Sequence, residues 1–585
     1  MEFSQIYTLI VVVVLVVFLY REIVHPSISF FGSVVLLMVG GVLSPYDLLN
    51  ALSNPQIALI FLLILVTAGI RGIFGPGLFS WLFTRGLRPR TFLARMMLFV
   101  SGISAFLNNT PIVAFMMPYV REWCRKNGYS LSRFLIPLSF ATILGGMITV
   151  AGTSTSLLLN GLIQGKNLPM LGFEDFLFLG LLVTIFGWIY LYFIGYHLLP
   201  DHPGKLDDIT GNLTEYIVET EVPNESSLRG KSVREAGLRN LQDLFLIEIL
   251  RDGQVISPVG PEEYLKEGDR LFFSGNTQSI HKLISENTGL KMRHSPSQGT
   301  AFQFTEAVVP ANSDLIGRKV NRSDFRNRFN ASIVAIHRDG KRISGSIGEA
   351  ELAAGDFLLL VSGDGQRALS PGHDLLLLSM PKGEESPKPI WIKISGMASI
   401  LLLLAGIAEW IPLFTACLVV LSFFIFTRIL RRQQIRQEID LGLLLILVSS
   451  VAIGTALDRS GAAQWVATLL LKTGESLGPL AALTALFLST TLLTSLISNA
   501  AAVAIVFPIA LSMAAQLGMN ATPFFVAIAF AASGDFITPI GYQTNLMVYG
   551  PGGYSFRDFA KVGIPLTLIY AVTCLTFIAI YYSVY

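Results

Sequence analysis

Charge is scarce in this sequence: 14% of its 585 residues are Asp, Glu, Lys or Arg, against roughly 25% in an ordinary soluble chain. With 52% apolar residues and a mean hydropathy of +0.60, an ordinary soluble enzyme is nearly excluded. The formal net charge of +2 excludes a strongly basic nucleic-acid binder, and no nucleic-acid partner is expected. Cysteine is scarcer still. Cys124, Cys417 and Cys574 are too scattered for a disulfide framework or a zinc site, and they read as buried apolar thiols. The seven histidines have no metal-ligand spacing. No Gly-x-Gly-x-x-Gly opens a helix and nothing resembles a phosphate-binding loop, so a nucleotide-binding unit and an ATP motor are both missing. No catalytic constellation appears, so neither an enzyme nor an organic cofactor is expected.

The charges present are concentrated. Residues 201–389 carry 22 Lys/Arg and 27 Asp/Glu, which is 49 of the 82 charges in the chain. A soluble module of net charge −5 therefore separates two apolar halves. Each half is large enough for five or six membrane spans of about 20 residues. The first run, Leu9–Tyr20, follows Glu2 rather than a basic segment and has no small-residue cleavage site after it. It reads as a retained helix rather than a removable signal peptide. Further spans are expected near 28–45, 56–70, 134–164, 174–199, 391–409, 413–430, 440–457, 521–550 and 562–583.

Two stretches, 92–120 and 480–512, are too long for one span and are broken in the middle. The breaks read Leu107-Asn108-Asn109-Thr110-Pro111 and Ile497-Ser498-Asn499-Ala500. Asparagine at a helix start can satisfy orphan N–H groups, and proline suits the first turn. Each stretch is thus expected to be a re-entrant hairpin with its tip at membrane depth, where irregular backbone is tolerated only inside protein or along a wet cavity. Two spans are also interrupted, by Gly145-Gly146-Met147-Ile148-Thr149-Val150-Ala151-Gly152-Thr153 and by Gly534-Asp535-Phe536-Ile537-Thr538-Pro539-Ile540-Gly541-Tyr542. These match at the first Gly, Ile, Thr and the later Gly. The hairpin prolines Pro118 and Pro508 also correspond. Broken elements at corresponding positions of two halves are the signature of a secondary transporter built from repeats.

The basic clusters Arg85/Arg88/Arg90/Arg95, Arg121/Arg125/Lys126/Arg133 and Arg428/Arg431/Arg432/Arg436 set the orientation. With these inside, the halves are inverted copies, the first hairpin enters from the cytoplasm and the second from outside. Residues 201–389 are then cytoplasmic and both termini external. Amphipathic segments near 74–84 and 462–471 read either as interfacial helices linking a scaffold to a moving part or as plain helix extensions.

The soluble module is itself duplicated at an offset of 87, through Leu228/Leu315, Gly230/Gly317, Val233/Val320, Asp252-Gly253/Asp339-Gly340, Leu265/Leu352 and Gly268-Asp269/Gly355-Asp356. Each copy has a short β-rich run (Leu246–Leu250; Ser332–His337), an Asp-Gly hairpin turn, a Gly-Asp turn and a final apolar strand (Leu271–Phe273; Phe357–Val361). Two small α+β units are expected.

On the paired tips and paired broken helices, residues 1–200 and 389–585 resemble the two membrane repeats of the divalent anion/sodium symporter (DASS) family. Residues 205–292 and 298–384 resemble two tandem RCK C-terminal (TrkA-C) domains, small-ligand regulatory modules of cation transport systems. The combination resembles bacterial and algal permeases linked to sulfate. The family's tips read Ser-Asn-Thr. The resemblance implies that Asn108, Asn109, Thr110, Ser498 and Asn499 face the anion, with Thr153 beside the first site. It implies that carbonyls near Asn109 and Gly152, and near Asn499 and Gly541, hold two sodium coupling ions, with no other metal. It also implies an elevator motion, a homodimer, a multi-pass location in the plasma or inner membrane, and an unidentified regulatory ligand. Two departures stand out. Ala500 removes a hydroxyl, and the family's Thr-Pro-Pro-Asn after the glycine is replaced by Thr153-Ser154-Thr155-Ser156 and Tyr542-Gln543-Thr544-Asn545.

The residues agree with that picture on physical grounds. Helix N-termini at mid-membrane present N–H groups and positive dipole ends to an anion. The tips themselves carry no Lys or Arg, so co-bound cations would have to meet the anion's charge. Asp535 is a carboxylate within a span, costing about 2.5–3.5 kcal/mol on insertion scales. It reads equally as a cation ligand or proton carrier and as a structural pin. The leading expectation is sodium-coupled symport of a divalent anion, sulfate ahead of dicarboxylates or citrate. An anion sensor of transporter-like build and a cation antiporter using Asp535 are the other readings.

Overall fold

The computed structural model describes residues 2–21, 24–74, 86–201, 217–238, 244–252, 254–256, 259–260, 262–275, 289–292, 304–310, 313–329, 331–338, 341–343, 347–362, 374–378, 390–439, 441–472 and 478–584. The apolar halves are helical. Among the described residues six helices are long and apolar enough to cross a membrane: Phe3–Tyr20, Pro45–Ile70, Phe173–Leu198, Leu441–Arg459, Asn499–Leu517 and Phe556–Tyr581. Pro26–Val39 and Leu413–Phe426 are shorter apolar helices.

Both broken stretches form helical hairpins. Pro89–Ser104 and Asn109–Asn127 make the first, and Gly478–Thr494 and Asn499–Leu517 make the second. Their second arms end alike, at Gly128 (φ +69°) and Gly518 (φ +65°). Glycine adopts this left-handed cap without a Cβ clash. Each hairpin is followed by an interrupted helix: Leu135–Gly146 then Ser154–Gly165, and Thr522–Ser533 then Gln543–Tyr549. Every residue of Leu135–Gly146 is buried, as is all of Pro523–Ser533. A helix apolar on every side belongs in an interior, so these elements sit inside the helical body while Phe3–Tyr20 and Phe173–Tyr190 keep exposed apolar faces.

The interrupted helices pack on the hairpin arms that precede them. Leu441–Arg459 packs against Pro26–Val39, and Ser154–Gly165 against Asn499–Leu517, joining the halves. Polar ties reinforce the joint. Arg459 holds Asp47 in a two-pronged ion pair at 2.7 and 2.8 Å, and the Tyr554 hydroxyl donates to the Ser132 carbonyl at 2.6 Å. In a bilayer such packing and hydrogen bonding, rather than the hydrophobic effect, hold helices together. Residues 462–471 lie in the helix Ala462–Lys472, and most of the 74–84 segment falls outside the described residues.

The charged module contains two antiparallel five-stranded sheets of one topology. Strands β1 (Ile217–Glu221), β2 (Leu244–Arg251), β3 (Gln254–Ile256), β4 (Arg270–Gly275) and β5 (Lys291–Met292) are ordered β3-β2-β4-β1-β5. Strands β6 (Phe304–Val308), β7 (Ala331–Arg338), β8 (Lys341–Arg342), β9 (Phe357–Ser362) and β10 (Leu376–Leu377) are ordered β10-β6-β9-β7-β8. Both carry a bulge at one place, Leu246/Glu248 and Ile333/Ala335. The opening strands β1 and β6 escape a sequence reading because they are brief and mix charged with apolar residues, and the closing strands β5 and β10 because each is only two residues long. An ion pair to a buried aspartate recurs in each sheet: Arg251 clasps Asp269 with two bonds of 2.8 Å, and Arg338 clasps Asp356 at 2.7 and 2.8 Å.

Candidate functional site

The first tip is built by Asn109. Its Oδ1 lies 2.6 Å from the Ser104 hydroxyl, which also lies 2.8 Å from the Thr142 carbonyl. Its Nδ2 donates to the Tyr542 hydroxyl at 2.6 Å. The second tip repeats half of this. Asn499 Oδ1 accepts from the Thr494 hydroxyl at 2.8 Å, and that hydroxyl lies 2.9 Å from the Ala532 carbonyl. Ser104 and Thr494 each precede their asparagine by five positions, so one turn of helix plus the tip returns the hydroxyl onto the amide.

The expected asparagine cap is not what the first tip uses. Asn108 occupies the cap position, and its side chain makes no cap hydrogen bond, while Asn109 turns inward to Ser104 and Tyr542. In the second tip Ser498 supplies the cap, its hydroxyl accepting from the Ala501 N–H at 3.4 Å. Asn109 is buried, Asn108 and Thr110 are half-buried, and Ser498 is exposed beside a half-buried Asn499.

The interrupted helices bring oxygen atoms to two glycines. A methyl group on Gly152 would overlap the Gly146 carbonyl oxygen and lie 2.8 Å from that of Ser104. A methyl group on Gly541 would overlap the Asp535 carboxylate and lie 2.8 Å from the Thr494 carbonyl oxygen. The two surroundings correspond, with one difference: the position matching Asp535 is Gly146, where a methyl group would meet Asn109 Oδ1 at 2.5 Å. The first half thus sets only neutral oxygens around its glycine, and the second half adds a carboxylate.

Asp535 is buried, with Oδ1 accepting from Ser495 and Oδ2 from Thr538, both at 3.3 Å. Its backbone carbonyl accepts from Asn545 Nδ2 at 2.9 Å. Among the described residues no Lys or Arg side chain pairs with it. Thr153 lies near Gly146, its methyl 3.1 Å from where one on that glycine would sit. Its hydroxyl is engaged elsewhere: it accepts from the Ser156 N–H at 3.3 Å and caps the following helix.

Contacts between the halves add residues that the sequence marked only as departures. Gln543 Oε1 accepts from the Thr110 hydroxyl at 3.1 Å, beside the Tyr542–Asn109 bond. The Ser139 hydroxyl lies 2.9 Å from Thr544 Oγ1 and 2.7 Å from Asn545 Oδ1. The second interrupted helix therefore covers the first tip. The signal for Ser104 and Thr494 was their shared spacing, but nothing in the sequence says that Tyr542 reaches Asn109.

Every functional group collected here is an amide, a hydroxyl, a carbonyl or one carboxylate. Among the described residues no cluster of three or more His, Cys, Asp or Glu is placed to hold a metal ion. With the apolar helical body around it, the assembly is that of a multi-pass membrane protein. Residues 11–531 and 400–584 match the model of the citrate transporter family, and the chain belongs to that family. It is 32% identical to a putative sulfur deprivation response regulator of Chlamydomonas reinhardtii, over 96% of this chain and 99% of that one. An uncharacterised transporter of Synechocystis is 32% identical over 94% of this chain and 92% of its own. Sodium/sulfate cotransporter 1 of Chlamydomonas reinhardtii is 30% identical over 62% of this chain and 43% of its own. These relatives support a permease of the divalent anion/sodium symporter type.

Proposed function

We propose that the protein is a sodium-coupled symporter of a divalent oxyanion, with sulfate as substrate, working by an elevator motion of the hairpins and interrupted helices. The observation that carries this reading is the pairing, in each half, of an asparagine tip with an oxygen-lined glycine. The anion lies between the tips, against the helix N-termini at Asn109 and Asn499, with Asn108, Thr110 and Ser498 as neutral donors. One sodium ion takes the oxygens around Gly152, from Ser104, Gly146 and Asn109. The other takes those around Gly541, from Thr494, Asn499 and Asp535. Unwound carbonyls are suitable ligands for such an ion. Two inverted membrane repeats frame the site, and the two sheets act as cytoplasmic regulatory units of the RCK C-terminal type.

Sulfate is favoured over longer anions by the cover on the first tip. Tyr542 and Gln543 occupy the flank of Asn109 and Thr110. Ala500 leaves the second tip without the hydroxyl that a separate terminal carboxylate would need. A relative named as a sodium/sulfate cotransporter supports the same substrate, whereas the family's name supports citrate.

The deciding experiment is uptake of labelled sulfate, succinate and citrate by purified protein in proteoliposomes, with and without an inward sodium gradient. Sodium-driven sulfate uptake at least about tenfold more efficient than that of either carboxylate is expected. A sensor is the second reading, favoured by the relative named as a putative sulfur deprivation response regulator. Sulfate counterflow in the same vesicles separates the two, since a sensor exchanges nothing.

A further inference from the structure

The two sheets share a topology, yet one cross-strand row differs completely between them. In the first sheet Glu221 faces Arg270 on one side and Lys291 on the other. In the second sheet the same register places Val308 between Phe357 and Leu376. A charged row has become an apolar one. Val308 and Phe357 are buried and belong to the core of the helical body rather than to the core of their own sheet.

The change frees a second group. In the first sheet Glu219 pairs with Arg270 of the same sheet. Its counterpart Glu306 has Phe357 where that arginine would stand, and it pairs instead with Arg121. Arg121 lies on Asn109–Asn127, the helix whose first residue is the tip asparagine. Phe357 meets the other site helix. A methyl group on Gly550, at the end of Gln543–Tyr549, would lie 2.6 Å from the Gly355 carbonyl oxygen and 3.4 Å from Phe357 Cβ. One on Gly355 would lie 2.9 Å from Leu546 Cδ1. The backbone approach at Gly550 leaves no room for a side chain there, and Gly355, at φ +81°, holds a left-handed conformation against Leu546.

We propose that the second sheet is a docking surface for the helical body, clamping the far ends of the two helices whose starts form the substrate site. Asn109–Asn127 begins at the anion and ends toward Glu306. Gln543–Tyr549 begins at the cover on the first tip and ends on Gly355 and Phe357. Any displacement of the sheet is transmitted along both helices to Asn109, Thr110, Tyr542 and Gln543. The first sheet keeps the charged row and pairs Glu219 with its own Arg270, so the clamp is assigned to the second sheet. The functional consequence rests on the transport reading above, but the clamp is testable without it.

The test is hydrogen–deuterium exchange of the full-length protein, run beside sulfate uptake on the same preparations. The variants are Glu306→Arg, Arg121→Glu, the double charge swap, and a row variant, Val308→Glu with Phe357→Arg, which copies the Glu221–Arg270 pair of the first sheet. The expected result is amide exchange at least about tenfold faster in 109–127 and 543–549 for both single reversals and for the row variant, with the double swap restoring protection. Exchange in Phe3–Tyr20, which packs on Pro26–Val39, Leu441–Arg459 and Ala462–Lys472, should stay unchanged and reports that the variants are folded. Unchanged exchange in both site helices for Glu306→Arg and for the row variant would overturn the clamp. Absence of sulfate uptake in the unmodified protein would count against the substrate and leave the exchange result to decide the clamp.

Discussion

The Asn109 side-chain amide donates to the Tyr542 hydroxyl at 2.6 Å, joining residues 433 positions apart across the two halves of the chain. The bond spends one of the two amide protons of a buried side chain. It fixes which way the amide of the first tip points.

Tyr542→Phe removes the acceptor and keeps the ring. Leaving a buried amide proton unpaired costs about 1–3 kcal/mol. If the site bears that cost, the half-saturating sulfate concentration rises by roughly fivefold or more, with insertion and yield unchanged. Uptake kinetics in proteoliposomes measure this. An unaltered KM would remove Tyr542 from the positioning of the site.

Gly541→Ala places a methyl group on the Asp535 carboxylate and near the Thr494 carbonyl. Overpacking of this kind costs about 1–3 kcal/mol. The expected outcome is a half-saturating sodium concentration raised by at least about fivefold. Gly152→Ala should act likewise at the neutral counterpart. Sodium titration of uptake is the measurement, and wild-type sodium dependence in both variants would refute the oxygen-lined glycines as cation sites.

Asp535→Asn separates the two roles of this carboxylate. A cation ligand predicts loss of sodium affinity by about tenfold or more with little change in thermal stability, because the amide oxygen still accepts from one of the Ser495 and Thr538 hydroxyls while the amide N–H donates to the other. A structural pin predicts the reverse, a lower Tm at wild-type sodium dependence. The high cost of an ionised group in a membrane span makes the first outcome the expected one.

In the first sheet, Asp269→Ala removes two of the bonds that Arg251 makes and the acceptor of the Lys266 N–H, which lies 2.7 Å from Asp269 Oδ2. Breaking a buried pair costs about 3–5 kcal/mol. Arg251 keeps Glu263 at 2.8 Å, so the expected loss is about 2–3 kcal/mol. Faster hydrogen exchange confined to 217–275 would register it, and a fully protected first sheet would contradict it.

Orientation is open to thiol labelling, because the three native cysteines are buried. Cysteine at the exposed Gly165 should react with an impermeant reagent in intact cells. Cysteine at the exposed Glu351 should react only after lysis. Labelling of Glu351→Cys in intact cells would place the sheets outside.

Much of the scaffold was legible from residues alone, because its causes are local. A run such as Leu441–Arg459 is helical in a bilayer for want of any other way to satisfy its backbone. The breaks at 105–108 and 495–498 show as polar interruptions of apolar runs, and the duplicated Gly-Asp turns show as a repeat of 87. What the sequence determined was therefore the class of protein, the tips, the interrupted helices and the glycines.

The tertiary structure decided the pairings, since these depend on which helices lie side by side. It committed Thr153 to capping a helix, brought Tyr542 and Gln543 onto the first tip, and set Asp535 against Gly541. It also gave two sheets of the same topology different neighbours. Glu219 finds its arginine within its own sheet and Glu306 finds one on a membrane helix, because position 357 holds phenylalanine where position 270 holds arginine. The substitution is visible in the sequence, but its meaning comes from what the second sheet rests upon.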